Sequence, residues 1–404
     1  MLLEFSVENF KCFKERVTLS MEATSDKAHP DNVAEMNKET ILKTATMYGS
    51  NASGKTNFIE AMWLMQRFVL SSHTHVSTLK LGQTPFAFDK RSKSKPTHLG
   101  VKFIKDGIKY DYSFSYTENG VVSESLTFYP NGRVTTVFER SGSDYKFVKD
   151  KGRQKMDSER VIDKALYLSV SAQFNYHITK TVFDWFLTGF LVITGNETQL
   201  LKILIEKTNK EPKFKARVMK ALNIADLGIT SIKDKVKKRD PTSVLPTQIG
   251  PELDIWVGHT VKNNGKETIV ELPILAESSG TIRFMSMIGP IIDGLGHGKT
   301  IVIDEIDANF HSDLCEWIVG LFHDNSENPK NAQLIFNTHD TSLMDLDKLR
   351  RDQIWFVEKD WETGISDVIS LSEYKVRNDA DIGKAYKAGR YGAKPFISTE
   401  RLME

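Results

Sequence analysis

The sequence predicts an α/β protein in which a strand, glycine loop and helix unit carries an antiparallel β-meander lobe and a short helical insertion. Three observations predict it. A strand runs into a glycine-rich loop and an amphipathic helix near residue 50, and three Asp-Gly or Asn-Gly turns separate alternating apolar runs over residues 98–138. From residue 277 onward, helix, strand, helix and strand patterns succeed one another. Length and composition agree with this reading. The 404 residues amount to two or three domains at about 150 residues each. With 40% hydrophobic and 26% charged residues, the chain is neither collagenous, low-complexity nor wholly disordered.

The elements follow in order. Leu3, Phe5 and Val7, then Phe13, Val17 and Leu19, alternate as in strands, and residues 21–40 read as a polar loop. Ile41 to Tyr48 reads as a strand entering the loop, and Phe58, Ala61, Met62, Met65 and Val69 recur at helical spacing behind it. In the meander, Val101 and Phe103, then Ile108 to Tyr116, then Leu126 and Phe128 alternate between the turns. Its aromatic stripe could stack bases, although a core-facing stripe is the commoner arrangement. Residues 139–160 are charged and turn-rich, and Ala165 to Val170 reads as a short strand ending at Gln173. Residues 174–225 read as mostly helical, 231–250 as a basic connector, and 252–275 as a hairpin around Asn264-Gly265.

Several function classes are excluded or weakened by charge and cysteine content. Lysine and arginine total 54 against 53 acids, so nothing drives the whole chain toward nucleic acid or membrane. Cys12 and Cys315 are the only cysteines, which excludes a disulfide framework and fits a reducing compartment. The opening residues lack an uninterrupted apolar stretch, and no apolar run approaches 18 residues, so a cytoplasmic protein without a membrane span is expected.

The chemistry concentrates in three places. Gly49-Ser50-Asn51-Ala52-Ser53-Gly54-Lys55-Thr56 fits G-x-x-x-x-G-K-[ST]: its glycines let backbone N–H groups wrap phosphates, Lys55 reaches the β and γ phosphates, and Thr56 offers a hydroxyl to Mg²⁺. Thr300 to Ile303 is a buried-strand pattern ending in Asp304 and Glu305, with Asp304 expected in the Mg²⁺ shell and Glu305 polarising the attacking water. Gln333 to Asn337 is a further strand with His339 just beyond it, placed to sense a γ-phosphate. Asn337-Thr338-His339-Asp340 resembles a guanine-reading motif but lacks its lysine, which favours ATP over GTP. Gly294 to Thr300 also ends in G-K-T, but it has Asp293 at the first loop position and precedes a strand, so it reads as a loop. His73 and His75, without further ligands, read as solvated.

Together these residues resemble the ABC-type ATPase heads of the RecF, Rad50, SMC and OLD group. Val7 to Phe13 looks like their opening strand, and Asn57 after the loop threonine is typical of them. Glu277-Ser278-Ser279-Gly280-Thr281 is similar to the signature motif, Ile306 to His311 to the D-loop, and His339 to the switch histidine. By order, Gln173 fits the Q-loop. The tail, from Leu349 to Lys359, then Ala385-Tyr386 and Gly389-Arg390-Tyr391-Gly392-Ala393-Lys394-Pro395-Phe396, is similar to the AAA_15-type subset linked to phage defence and abortive infection, the RloA- and AbiL-like ATPases.

The resemblance implies an ABC-ATPase head divided as 1–70 (strands, phosphate loop, first helix), 71–170 (β lobe), 171–275 (Q-loop, helical insertion, connector hairpin) and 276–404 (signature onward). It implies ATP and Mg²⁺ as cofactors, with Gln173 joining Thr56 and Asp304 at the metal. It also implies a homodimer or higher oligomer in which Ser278, Ser279, Gly280 and Asp307 meet the nucleotide of the opposite subunit. A separate effector from a neighbouring gene, nuclease or Toprim-like, is the implied partner. Basic stretches at Lys90–Lys95, Lys146–Lys155 and Lys233–Arg239 leave open a DNA-binding repair or chromosome-maintenance ATPase. A scaffold that rarely hydrolyses ATP also stays open.

Overall fold

A computed structural model of the chain describes residues 1–236, 253–263, 266–377 and 380–392. In chain order its elements begin with β1 (Leu2–Glu8), β2 (Val17–Ser20), β3 (Val33–Met36), β4 (Glu39–Leu42), β5 (Thr44–Tyr48) and α1 (Lys55–Ser71). The meander follows as β6 (Thr97–Lys105), β7 (Ile108–Thr117), β8 (Gly120–Phe128), β9 (Thr135–Ser141) and β10 (Asp144–Phe147). Next come α2 (Lys151–Ser158), α3 (Tyr167–Gln173), α4 (His177–Asp184), β11 (Phe190–Ile193), α5 (Glu197–Lys210) and α6 (Pro212–Ile224). β12 (Ile229–Val236), β13 (Leu253–Asn263), β14 (Lys266–Pro273) and α7 (Ser279–His297) lead to β15 (Thr300–Ile303), α8 (Ser312–His323) and β16 (Gln333–Asn337). β17 (Ile354–Lys359), β18 (Ser366–Ser370) and α9 (Ile382–Lys387) complete the described chain.

The described residues fall into two compact units. The first takes Met1–Thr194, His297–Ile306 and the chain from Glu316 on, and it holds two large sheets. One is antiparallel, in the order β10-β9-β8-β7-β6-β1-β2. The other runs β11-β15-β16-β5-β17-β18 and is parallel apart from its antiparallel edge strand β18. Because β16 lies between β5 and β15, residues just beyond the end of β16 stand between those that follow the other two strands. The apolar face of α1 (Phe58, Met62, Met65, Phe68) is buried, and Phe58 meets Phe5 and Phe13 edge-on at 5.5 and 5.9 Å. The meander's aromatic stripe is core: Tyr112, Phe114 and Tyr116 are fully buried, which leaves no stacking platform there.

The second unit, Gly195–Gly296 with Asp307–Cys315, contains α5, α6, the three-stranded sheet β12-β13-β14 and most of α7. Gly289 of α7 makes the close approach of α5 possible, since a Cβ there would lie 2.9 Å from Leu204.

The structure corrects six expectations. Residues 165–170 are not a strand; Tyr167–Gln173 is helix, and exposed Gln173 ends it. The cause is a long-range cap: the buried Glu124 carboxylate accepts the first-turn N–H groups of Tyr167 and Leu168 at 2.7 and 2.9 Å. The strand flanking β15 is instead β11, inside the stretch read as helical, and Thr194 follows it. Ile41–Tyr48 is two strands broken at buried Lys43, whose ammonium donates to Asp31 O (2.9 Å) and Asn325 Oδ1 (2.6 Å). Residues 21–40 contain β3, and Gly294–His297 is the end of α7 rather than a loop. The connector expected over 231–250 begins inside β12; its residues 237–250, the Asn264-Gly265 turn and residues 393–396 of the tail lie outside the described residues.

Candidate nucleotide site

The phosphate loop grows out of β5, whose five residues are all buried in the middle of the parallel sheet. Two glycines let it close. A Cβ at Gly49 would clash with the carbonyl of Val357, and one at Gly54 (φ +121) would sit 2.7 Å from Cys12 Sγ. Ala52 turns at φ 62, a left-handed conformation that costs a non-glycine residue about 1–2 kcal/mol. Lys55 is buried and curls back over the loop, donating to Gly49 O at 2.7 Å and Ser50 O at 3.1 Å.

Three features of this loop fit a polyanion. The N-terminus of α1 has no side-chain cap and no acid in its first turn, so its first N–H groups lack the usual local acceptor. The Ser53 hydroxyl is fully buried without a hydrogen-bond partner. Lys55 supplies a buried positive charge at the same place.

The acids stand where the buried run Thr300–Ile303 ends. The Asp304 N–H donates to Ile193 O of β11 (3.0 Å), and its Oδ1 accepts both the Thr56 hydroxyl (3.2 Å) and Asn337 Nδ2 (2.6 Å). Glu305 follows at φ 51, with its backbone N–H held by Asn337 Oδ1. The Ile306 N–H donates to Asn337 O at 3.2 Å. One fully buried side chain thus braces both acids, from the strand that lies between them and the loop. Thr56 and Asp304 offer adjacent oxygens to a divalent cation; Mg²⁺ usually takes one or two protein oxygens and completes its shell with phosphates and water. Among the described residues no cluster of three His, Cys, Asp or Glu side chains could hold a metal.

His339 is exposed two residues beyond Asn337, on the same side of the sheet as the acids' strand ends. Gln173 is exposed at the end of α3 and shares no hydrogen bond with the described residues of the loop or the acids. In the second unit, Ser278 caps α7, accepting the Thr281 N–H at 3.1 Å, while Ser279 is exposed. A Cβ at Gly280 would lie 2.6 Å from Asn309 O, so the signature-like turn packs on the segment that begins with half-buried Asp307. His73 and His75 do not form a metal pair: their rings engage Ser169 Oγ (3.2 Å) and Lys164 O (2.8 Å).

Asn337, which the sequence suggests only as part of a guanine-reading motif, is the residue whose bracing of the two acids sequence reasoning missed. Its signal for this role is an amide closing the apolar run Leu334-Ile335-Phe336. Its burial and bonding also remove it as a guanine reader.

The fold and this site define a P-loop protein of the nucleoside-triphosphatase type. The family model described as "AAA domain, putative AbiEii toxin, Type IV TA system" matches residues 45–167 and 193–345, over half of the sequence, and the chain belongs to that family. A search of curated proteins returns no significant match. Similar solved structures include an Smc head bound to the C-winged helix domain of ScpA (14% identity, TM-score 0.46, covering 91% of this chain and 97% of that one). Another is an Smc head domain with an extended coiled coil bound to the C-terminal domain of ScpA, derived from Pyrococcus furiosus (14% identity, TM-score 0.40, 96% and 98% covered). Among the described residues no helix is long and apolar enough to cross a membrane.

Proposed function

We propose that this chain binds and hydrolyses ATP and works as a switch: two copies close around the nucleotide and gate a separate effector in antiphage defence. The observation that carries the reading is the bridge from Thr56 through Asp304 and Asn337 to Glu305, which joins the phosphate loop to a second, braced carboxylate. A loop that only bound phosphate would not need Glu305 held in a left-handed backbone conformation.

Lys55 and the N–H groups at the start of α1 hold the β and γ phosphates. Bound Mg²⁺, on Thr56 and Asp304, would supply charge neutralisation at the phosphates. Glu305 orients a water and takes its proton as the water oxygen bonds to the γ phosphorus and the bond to the ADP oxygen breaks. His339 donates to the γ phosphate. Ser279 and Gly280 of the opposite subunit cap that same group, so the triphosphate joins the pair and its cleavage releases it. The family description names a "putative AbiEii toxin" of a toxin–antitoxin system, which supports a role in defence. The toxic chemistry is assigned here to a partner, nuclease or Toprim-like.

The test pairs two variants. Glu305→Gln should bind ATP, accumulate as a dimer in sizing experiments and turn over at least a hundred-fold more slowly than the wild type, by analogy with loss of other transition-state groups. Lys55→Ala should lose ATP binding. Wild-type hydrolysis by Glu305→Gln would remove the water-activating role, and unchanged affinity in Lys55→Ala would remove the loop.

A further inference from the structure

Phe88 and Trp361 are 71% and 63% exposed, while aromatic rings this size are ordinarily covered. They are not independent surface accidents. The Lys359 ammonium lies 5.7 Å from the Phe88 ring centroid and 5.1 Å from that of Trp361, so both rings border the one space that it occupies. Phe88 is held in place from two sides. Buried Phe86 meets it edge-on at 5.7 Å, and it lies over Gly364, where a Cβ would be 2.5 Å from its ring.

The two segments that carry this pair are tied to the phosphate loop, one directly and one through the turn at Cys12–Lys14. Lys359 pairs across the β17–β18 ladder with Ser366, whose hydroxyl donates to Ser53 O at 2.6 Å. The Ser366 N–H donates to Cys12 O (2.9 Å), and Cys12 Sγ accepts from Asn57 in the first turn of α1 (3.1 Å). Lys14 in that same turn of chain reaches Asp89, next to Phe88, at 3.1 Å. These contacts tie the segments that carry both rings to the phosphate loop and to the first turn of α1.

We infer that Phe88 and Trp361 form the slot for the base of the nucleotide whose phosphates the P-loop wraps, and that they favour purines through stacking area. The inference rests on the triphosphate reading above and adds to it the residues that recognise the base. In the free protein, Lys359 keeps the slot open by cation–π contact with both rings; an entering base exchanges that contact for stacking. Stacking does not depend on a base's hydrogen-bonding edge, so the slot selects by ring size.

The experiment measures binding of MgATP, MgUTP and inorganic tripolyphosphate to the wild type and to Trp361→Ala, Trp361→Phe, Phe88→Ala and Lys55→Ala, with calorimetry and tryptophan fluorescence. In the wild type, MgATP should bind more tightly than MgUTP and quench fluorescence, whereas tripolyphosphate should bind without that quench. Trp361→Ala and Phe88→Ala should each weaken MgATP about ten-fold or more and leave tripolyphosphate within two-fold. Trp361→Phe should restore affinity but lose the quench. Unchanged MgATP affinity in both alanine variants, with binding still abolished in Lys55→Ala, would overturn the slot and leave the phosphate site standing. Failure of the wild type to bind either MgATP or tripolyphosphate would overturn both readings.

Discussion

Replacing Asn337 by alanine tests whether the acids work because they are braced. The variant removes the 2.6 Å donation to Asp304 Oδ1 and the acceptor of the Glu305 N–H, while Thr56 remains within 3.2 Å of Asp304. A hydrogen bond to a charged group contributes about 1.5–3 kcal/mol and a neutral one about 0.5–1.5. Water can reach half-buried Asp304 and replace part of this, so a stability loss of about 2–3 kcal/mol is expected. The effect on turnover follows from the backbone. Glu305 sits at φ 51, a conformation that costs about 1–2 kcal/mol and that Asn337 secures. Freed of its anchor, Glu305 relaxes, and its productive conformation falls to roughly one part in five to one in thirty, with kcat falling by the same factor. Affinity for ATP should change little, because Lys55 and the helix-end N–H groups are untouched. The assay is single-turnover hydrolysis at saturating ATP, with chemical denaturation and ATP binding measured on the same preparation. Asn337→Asp, which keeps the size but sets a second carboxylate beside Asp304, should be at least as slow. Turnover above half the wild-type rate in Asn337→Ala, with stability lowered as expected, would show that Glu305 needs no brace and would refute this reasoning.

Two further predictions are independent of that one. Gly280→Ala places a Cβ 2.6 Å from the Asn309 carbonyl, and the backbone must shift; ATP binding should persist while ATP-dependent dimerisation in sizing experiments is lost, and a normal dimer would count against the signature role. His323 is half-buried, and the desolvation of its ring, with Lys43 and His29 nearby, holds its pKa down at about 3; its Nε2 accepts from the Thr44 hydroxyl at 2.8 Å. Below pH 6.5 the unfolded chain takes up a proton that the folded ring refuses, so this contribution is complete above pH 6.5 and shrinks by about 1.4 kcal/mol per unit as pH falls toward 3. Between pH 7 and 5, urea unfolding of the wild type should lose about 2 kcal/mol more than that of His323→Gln, and equal losses would show that the ring is already solvated.

What could be read directly in the sequence is what local chemistry dictates. The octapeptide from Gly49 to Thr56 announces itself because a loop that points consecutive N–H groups at one centre needs glycine where a Cβ would strike Val357 or Cys12. The run Thr300–Ile303 before two acids is legible for a similar reason, since its burial and the sudden polarity lie within six residues. The meander shows through its turns and its period of two. Two of the failures share one cause, a partner distant in sequence. Ala165 to Val170 alternates too little to separate strand from helix, and the deciding carboxylate, Glu124, lies some forty residues upstream on another element. Phe190–Ile193 becomes a strand only because β15, more than a hundred residues later, pairs with it.

The same distinction separates the parts of the site. Walker-type residues are set by what the nucleotide demands, so their spacing is written in the chain. The residues that make those groups competent answer only to their neighbours in space: Asn337 to Asp304 and Glu305, Ser366 to Ser53, Phe88 and Trp361 to Lys359. An amide at the end of an apolar strand, or an exposed tryptophan in a turn, has no distinctive spacing. Its meaning comes from β16 lying between β5 and β15, and from the β17–β18 turn being bonded to the phosphate loop. It follows that variants at Asn337 and Trp361 should separate functions that Lys55→Ala abolishes together: the first should slow cleavage with binding kept, the second should weaken base recognition with phosphate binding kept.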